Sequence, residues 1–246
     1  MLNRMIGIRL SIVGIFSFFR VPYNSLLMDS YLFPPKTTIV GMIGAAMGWN
    51  EERVLDDIDK FKYGLIIKNP GERAIETATI FGNIEYTPYP ITKIMNYKSY
   101  PITKIMNYKP FYEVYIASDN KDLNIDKIYD ALNDPKFTLY LGDSESLFYA
   151  DFKHPKFCEK IEINKDFGNE FECILPSEIY NKKERIEMTT KKVIPPTEIK
   201  IPINFTGKGK NRKCVLKNVF YYSGIKVKLK ESVETYYYGK QPVCLF

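Results

Sequence analysis

The chain contains few of the residues that build common catalytic and metal centres. Its 246 residues include one histidine, His154, and four cysteines, none of which belongs to a Cys-x-x-Cys pair. A structural zinc site needs closely spaced cysteine and histidine ligands, so the sequence predicts no metal site and no cofactor. Scattered single cysteines are typical of packing residues in the reducing cytoplasm, where we expect this protein to reside.

Long apolar runs and nucleotide-binding motifs are also missing. The apolar start of the chain is interrupted by Arg4 and Arg9, and no small-residue cleavage site follows it. We therefore expect neither a secretory signal nor a membrane partner. The chain has no G-x-x-x-x-G-K-[ST], G-x-S-x-G or H-E-x-x-H motif and no spaced carboxylate set for magnesium. Nucleotide hydrolysis and the common hydrolase mechanisms thus have no support.

Aromatic and basic residues, by contrast, are frequent. Hydrophobic residues make up 45% of the chain and tyrosine alone occurs 19 times, which indicates a globular protein with a real core. Residues 1–177 carry 20 Lys and Arg against 23 Asp and Glu, whereas residues 178–230 carry 14 against 4. A basic segment on a near-neutral body favours a polyanionic partner, although a solvated basic surface has the same composition.

Apolar periodicity predicts an alternation of strands and helices. The predicted strands are 5–14, 65–68, 74–81 and 137–141, and the predicted helices are 51–60, 125–132 and one that follows Thr37 or Thr38 up to Met47. The order β-α-β-β-α-β is that of the ferredoxin-like or RRM-like plan, so we predict an α+β fold.

The C-terminal part of the chain is predicted to be β-rich and basic. Ile225, Val227 and Leu229 alternate with lysines, which indicates a strand with one buried face and one basic face. The predicted irregular segments are a flexible basic loop at 204–213 and a polar connector at 184–192.

One segment of the chain is duplicated letter for letter. Tyr89–Lys98 recurs as Tyr100–Lys109, and the prolines of both copies exclude one long helix. Two short copies are too few for a solenoid, so we interpret them as a tandem duplication inside a protruding loop or hairpin, where added length costs little. Each copy offers two lysines and two tyrosines. This mixture suits a nucleic-acid contact but also an ordinary surface loop.

The helix that starts near Lys36 is a candidate phosphate site. The Pro34-Pro35 pair prevents an earlier start, and Thr37 or Thr38 is expected to cap the helix. The unpaired N–H groups and the partial positive charge of a helix start, next to a lysine, suit a phosphate. A capped helix that binds nothing fits the sequence as well. The glycines at 41, 44 and 48 predict close packing of this helix against a neighbour.

The lone histidine offers one catalytic interpretation. His154 follows Lys153 in Asp151-Phe-Lys-His-Pro-Lys156, and a histidine titrates near neutrality. In this interpretation, Lys153 and His154 transfer protons in a cleavage of RNA that needs no metal. A histidine followed by proline in a surface loop is the alternative.

Taken together, three segments resemble the Cas5 family of CRISPR-associated RAMP proteins. The segments are Phe18-Phe-Arg-Val-Pro22, Phe33-Pro-Pro-Lys-Thr-Thr-Ile-Val-Gly-Met-Ile-Gly-Ala-Ala-Met-Gly-Trp49 and Tyr140-Leu-Gly-Asp-Ser-Glu-Ser-Leu147. Their order and spacing match the family as well as their letters, and the Pro-Pro-Lys-Thr start of the helix is the most specific part. The resemblance implies an RRM-like RAMP domain at 1–147 with a β-hairpin thumb at 84–112, followed by a basic β-rich region at 148–246.

The resemblance also implies a function in CRISPR-Cas antiviral defence. Such a protein is a non-catalytic subunit of a type I Cascade complex that caps the 5′ handle of the guide crRNA. Its partners are the crRNA and the Cascade backbone and large subunits, with target DNA met only indirectly. The implied RNA-binding residues are Arg20, Tyr23, Lys36, Thr37 and Thr38 on the handle, and Lys93, Tyr97, Lys104 and Tyr108 of the thumb on the guide.

Two other functions remain open from the sequence. One branch of the family cuts the guide precursor with a Tyr, a Lys and a His, and Lys153 with His154 keeps a metal-independent endoribonuclease as the alternative. A scaffold that contacts only protein is the third hypothesis.

Overall fold

Strands outnumber helices in this mixed α+β protein. The computed structural model describes residues 5–22, 27–81, 99–120, 123–148, 157–207 and 211–246, with only the backbone described at 78–81 and 99–101. The strands are β1 (Met5–Val13), β2 (Phe16–Ser17), β3 (Phe19–Arg20), β4 (Ser30–Tyr31), β5 (Lys62–Asn69), β6 (Glu72–Phe81), β7 (Ser99–Tyr108), β8 (Phe111–Ala117), β9 (Cys158–Phe171), β10 (Leu175–Pro176), β11 (Lys183–Met188), β12 (Ile194–Thr206), β13 (Lys213–Ser223), β14 (Ile225–Tyr238) and β15 (Gln241–Val243). The helices are α1 (Lys36–Met47), α2 (Glu51–Asp57), α3 (Ile125–Asn133) and α4 (Ser177–Tyr180), with a 3-10 turn at Ile58–Lys60. No helix within these ranges is both long and apolar enough to span a lipid bilayer.

The main sheet is antiparallel throughout. Its strands lie side by side in the order β11-β14-β9-β1-β8-β5, and β15 pairs with part of β14. In the register, Ile8 of β1 stands between Ile116 of β8 and Lys160 of β9. Four of these strands and two helices follow one another along the chain as β1, α1, β5, β8, α3 and β9.

Alternate side chains of the main sheet enter two different cores. Ile8, Leu10 and Ile12 of β1 are fully buried in a core that they share with α1 and α3. Tyr115 of β8 and Phe171 of β9 belong to a second core on the other face, together with β14 and α4. A period of two along each strand produces this division, because successive side chains point to opposite faces.

Several strands and helices predicted from periodicity are confirmed. β1, α2, α3, β6 and β14 all overlap their predicted ranges. In β14 the predicted apolar alternation is buried, since Ile225, Val227 and Leu229 are at most 4% exposed. The Asn124 cap of α3 is also confirmed, because its side chain accepts a hydrogen bond from the Lys127 N–H.

The predicted strand at 137–141 is wrong. Only one bridge, Tyr140 to Leu147, is formed there, and the strand that lies beside β1 in the main sheet, on the side away from β8, is β9. Leu139 and Leu141 are spaced like strand residues, but they are buried in a turn of the 139–148 segment. The chain also has a core strand, β8, that the prediction lacked.

The two segments predicted to be irregular contain strand structure. The connector at 184–192 contributes most of β11, and the loop at 204–213 contributes the end of β12 and the start of β13. β11 has exposed residues on both faces, so an apolar period is weak in its sequence. Edge strands commonly carry such charged residues.

The duplicated segment takes part in a long hairpin. The second copy forms β7, which pairs with β6 from Glu72↔Tyr108 to Phe81↔Ser99. The first copy, at 89–98, lies outside the described residues. The hairpin is inserted between β5 and β8 and its arms begin at residue 72, earlier than the predicted 84.

The sheet continues across the predicted division at residue 147. β9 pairs with β1, and β14 pairs with β9, so strands from 148–246 extend the sheet that the N-terminal part begins. The division into 1–147 and 148–246 itself stays a prediction.

The glycines of α1 differ in what surrounds them. A Cβ added at Gly44 would lie 2.5 Å from Val54 Cγ2, so close packing is confirmed at this position. Gly48 has a φ of 68° and ends the helix in the left-handed conformation. A Cβ added at Gly41 would have no described atom within 4 Å beyond its own stretch of helix, so the packing predicted for this glycine is wrong.

Candidate nucleic-acid interface

The helix start at Lys36 has no side-chain cap. Pro35 occupies the N-cap position, with φ −69° and ψ 162°, and makes no side-chain cap hydrogen bond. The predicted Thr37 or Thr38 cap is therefore wrong, because the N-cap position is Pro35, two residues before Thr37. The N–H groups of Thr38 and Ile39 donate to the Pro35 carbonyl at 3.0 and 3.3 Å. The N–H groups of Lys36 and Thr37 have no acceptor inside the helix, as is usual for a first turn.

A cleft of about 330 Å³ opens at this helix start. It is bounded by the segment after β3, by the first turn of α1 and by the ends of β12 and β13. The lining residues are Phe19, Arg20, Pro22, Pro35, Thr37, Thr38, Pro202, Phe205, Arg212 and Cys214. Three predicted RNA-binding residues, Arg20, Thr37 and Thr38, thus share one cleft.

Two arginines contribute positive charge to the cleft. Arg20 is exposed, and no acidic side chain in the described ranges bonds to it. Arg212 pairs with Glu51 of α2, and its guanidinium lies 4.9 Å from the centre of the Phe205 ring. A guanidinium can bind two phosphate oxygens at once. The cleft therefore combines two guanidinium groups, free backbone N–H groups and an aromatic ring.

Lys36 does not line the cleft. Its side chain is buried, with the residue only 6% exposed. Burial lowers the pKa of Lys36, the neighbouring Asp59 opposes this shift, and Lys217 adds to it. The predicted phosphate contact of Lys36 therefore has no support in this geometry.

Replacing the buried lysine tests this correction. We expect Lys36→Met to raise the free energy of unfolding by on the order of 1 kcal/mol near neutral pH, because it removes a poorly solvated charge. The ammonium proton of Lys36 is bound less tightly in the folded protein than in the unfolded chain. The free energy of unfolding of the wild type therefore rises as the pH increases from the pKa of Lys36 in the folded protein towards 10.5. The advantage of the variant should shrink over that range, as measured by urea unfolding. The exposed Lys127→Met serves as the control, and a destabilised Lys36→Met would contradict the assignment.

Two of the three sequence segments that carry the resemblance are in direct contact. The Phe18 N–H donates to the Leu141 carbonyl at 2.9 Å, and the Leu141 N–H donates to the Ser146 carbonyl at 2.7 Å. Gly142 has a φ of 107°, and a Cβ at this position would lie 1.8 Å from the Phe18 carbonyl oxygen. The close approach fixes the backbone just before Phe19 and Arg20 in the cleft wall.

Lys104 of the second repeat copy is buried in the same contact. Its ammonium lies 2.5 Å from Asp143 and 2.7 Å from Glu145, and 4.8 Å from the centre of the Phe18 ring. Burial by itself lowers the pKa of Lys104, but hydrogen bonds to Asp143 and Glu145 outweigh it and raise the pKa. Lys104 thus anchors the hairpin to the 140–147 segment, and this geometry gives no support for the RNA contact predicted for it.

Further residues of β7 hold the base of the hairpin. The buried Asn107 donates to the Tyr31 carbonyl at 2.8 Å and accepts from Arg73 at 3.1 Å. Tyr108, a predicted RNA contact, is half-buried, with its ring centre 5.4 Å from that of Phe16. The base of the hairpin is therefore part of the packed structure.

The remaining predicted site residues cannot be placed. Tyr23, Lys93 and Tyr97 lie outside the described residues, and so do Lys153 and His154 of the catalytic alternative. Within the described ranges, no group of His, Cys, Asp and Glu side chains converges as a metal site would require.

The sequence reasoning missed part of the cleft. Phe205, Arg212 and Cys214 belong to the end of the β12–β13 hairpin, which pairs Phe205 with Cys214. A signal was present, because 204–213 is rich in basic residues and lies in the segment 178–230, whose charge favours a polyanionic partner. Nothing in the sequence showed that this hairpin ends beside the start of α1.

Two solved structures share this fold over nearly its whole length. A chain of a CRISPR RNA-guided surveillance complex is 16% identical, with a TM-score of 0.54 over 96% of this chain and 91% of that chain. A CRISPR protein from Archaeoglobus fulgidus is 11% identical, with a TM-score of 0.57 over 97% of this chain and 98% of that chain. The fold is therefore one found among CRISPR proteins. No curated protein matches the sequence.

The sequence match is more specific than the likeness of fold. Residues 7–200 match the family described as CRISPR-associated protein (Cas_Cas5), which is most of the 246-residue chain. The chain belongs to the CRISPR-associated Cas5 family. The resemblance inferred from Phe18–Pro22, Phe33–Trp49 and Tyr140–Leu147 is confirmed.

Proposed function

We propose that this chain is the non-catalytic subunit that binds the 5′ handle of the guide crRNA in a type I Cascade complex. The observation that carries the proposal is the cleft at the start of α1. Arg20, Arg212 and the free N–H groups of the first turn suit handle phosphates, because charge-assisted bonds and a helix start both favour anions. The ring of Phe205 offers a surface on which a base can stack.

The proposed core is ferredoxin-like, with the β6–β7 hairpin as its thumb. The order β9-β1-β8-β5 supports this interpretation, as does the chain order β1, α1, β5, β8, α3, β9. The hairpin lies between the second and third core strands, where the duplicated segment was predicted to form a thumb. We propose that the duplication lengthens this thumb along the guide.

We further propose that the partners are the crRNA and the backbone and large subunits of Cascade, with target DNA met only through the complex. Membership of the Cas5 family supports this, together with the shared fold of a chain from a CRISPR RNA-guided surveillance complex. The guide-processing alternative depends on Lys153 and His154, and no contact among the described residues favours it.

A binding experiment with the purified chain tests the proposal. Repeat RNA that carries the handle is incubated with the protein in EDTA and resolved on a native gel and on a denaturing gel. We expect the handle RNA to shift at lower protein concentration than a shuffled RNA of equal length, and to be recovered intact. Specific cleavage that is lost in His154→Ala would replace the proposal with the endoribonuclease. Equal shifts of both RNAs would contradict specific binding of the handle. A shift that occurs only with partner subunits present would favour the scaffold hypothesis.

A further inference from the structure

The strand β11 forms an open edge of the main sheet. It pairs with β14 on one side, and no described residue pairs with its other side. The Thr189 N–H donates to the Gly224 carbonyl at 2.9 Å, which marks a hydrogen-bonded pair of this ladder. Because such pairs alternate in an antiparallel ladder, Glu187 bonds towards β14, and the N–H and C=O groups of Ile186 and Met188 point outwards.

The apolar face of the sheet is incompletely covered at this edge. Ile186 and Met188 stand opposite Val227 and Ile225, which are buried in the second core. Ile186 is nevertheless 40% exposed and Met188 77% exposed. The core face thus ends in two apolar side chains that no neighbouring described strand covers.

The opposite face at the same edge is basic. Arg185 stands opposite Lys228, and Glu187 opposite Lys226. Arg185 pairs with Glu187, and Lys226 lies 3.6 Å from Glu170. Lys228 and the adjacent Lys230 have no acidic partner within the described ranges. The face therefore keeps unbalanced positive charge beside the open backbone groups.

We propose that β11 is a docking edge for an extended segment of a protein partner in which apolar and acidic residues alternate. Added as a strand, such a segment would bond to the outward groups of Ile186 and Met188. Its apolar side chains would cover these two residues, and its acidic side chains would meet Lys228 and Lys230, since alternate residues of a strand face opposite sides. A nucleic acid fits less well, because it offers no matching strand backbone and Glu170 and Glu187 reduce the charge of the face.

A synthetic peptide of alternating valine and glutamate serves as the probe for this site. We expect it to bind the purified chain saturably in fluorescence anisotropy, more tightly than a valine–lysine peptide of equal length. A valine–glutamate peptide that is N-methylated on alternate residues should lose binding, because it cannot complete the ladder. Equal binding of the valine–glutamate and valine–lysine peptides, or binding of neither, would overturn the proposal.

Substitutions at the edge locate the bound peptide. We expect Met188→Glu to weaken peptide binding about tenfold, because it removes an apolar contact and adds a like charge. Met188→Pro should weaken binding similarly, because it removes the Met188 N–H that the peptide would bond to. This N–H points away from β14, so the pairing of β11 with β14 is kept. The control is Phe167→Glu, at a residue 70% exposed on β9 and away from the edge. Equal affinities of Met188→Glu and Phe167→Glu would overturn the proposal. Handle RNA binding is measured in parallel and should be the same in both, so the two proposals fail separately.

Discussion

Replacing Arg20 and Arg212 together with alanine is expected to lower the affinity for handle RNA about a hundredfold or more at low salt. Each guanidinium that bonds to a phosphate contributes roughly 1.5–3 kcal/mol, and 1.4 kcal/mol is a factor of ten in affinity. The slope of log affinity against log salt concentration should also fall by about 1.4, which corresponds to two contacts with a single strand. Filter binding over a salt series measures both quantities.

Two further variants show whether the effect belongs to the cleft. Arg185→Ala removes another exposed arginine, from β11, which contributes nothing to the cleft, so handle affinity should change by less than about twofold. Glu51→Gln should strengthen binding, because Glu51 competes with phosphate for Arg212. If the double variant and Arg185→Ala lose the same affinity, the contacts depend on general charge and the cleft is not the site.

The second large effect is expected for Gly142→Ala, which should destabilise the fold by about 3 kcal/mol or more. The φ of 107° is unfavourable for alanine, and the added Cβ would lie 1.8 Å from the Phe18 carbonyl oxygen. This oxygen belongs to the backbone, so it moves only if the bond from the Phe18 N–H to Leu141 is disturbed. Urea unfolding followed by circular dichroism measures the loss.

Gly41→Ala is the matched control for this substitution. Among the residues that the structure describes, none outside its own stretch of helix lies within 4 Å of the position that its Cβ would occupy, and Gly41 stands in the middle of α1. Alanine should therefore stabilise the helix by about 0.5–1 kcal/mol relative to glycine. If Gly142→Ala is as stable as Gly41→Ala, the contact between the 18–22 and 140–147 segments is not what fixes the cleft wall.

Periodicity predicted those elements that have one buried face and one exposed face. β1 and β14 alternate cleanly because each buries every second residue over much of its length. The strand β9 was missed because it has four consecutive exposed residues, 164–167, which interrupt its alternation. The short apolar pattern at 137–141 was preferred to it, although Leu139 and Leu141 are buried by a turn.

The residue type alone did not show which lysine side chains are exposed to solvent. Lys36 and Lys104 look alike in the sequence as candidate RNA ligands, yet both are buried, the first at the start of α1 and the second beside Asp143 and Glu145. Whether a lysine snorkels, pairs or faces a ligand depends on residues far away in the chain. Arg20, by contrast, does line the cleft, and no acidic side chain within the described ranges bonds to it.

The cleft itself required the tertiary structure. Arg20 and Thr37 come from the N-terminal part of the chain, whereas Phe205 and Arg212 come from a hairpin far downstream. Local patterns determine the strands of that hairpin but not the surface on which its end packs. The family motifs mark one wall of the cleft and leave the other wall unmarked.

Alkylation of Cys214 tests the central claim, that this cleft holds the crRNA handle, most directly. Cys214 is exposed and lines the cleft, whereas Cys158, Cys173 and Cys244 are buried. Burial also raises the pKa of Cys158 and of Cys173 to about 12, so these thiols react slowly. With a maleimide probe and mass spectrometry, saturating handle RNA is predicted to slow the labelling of Cys214 several-fold, while shuffled RNA at the same concentration does not. An unchanged labelling rate at an RNA concentration that shifts all the protein on a gel would contradict the assignment of the cleft.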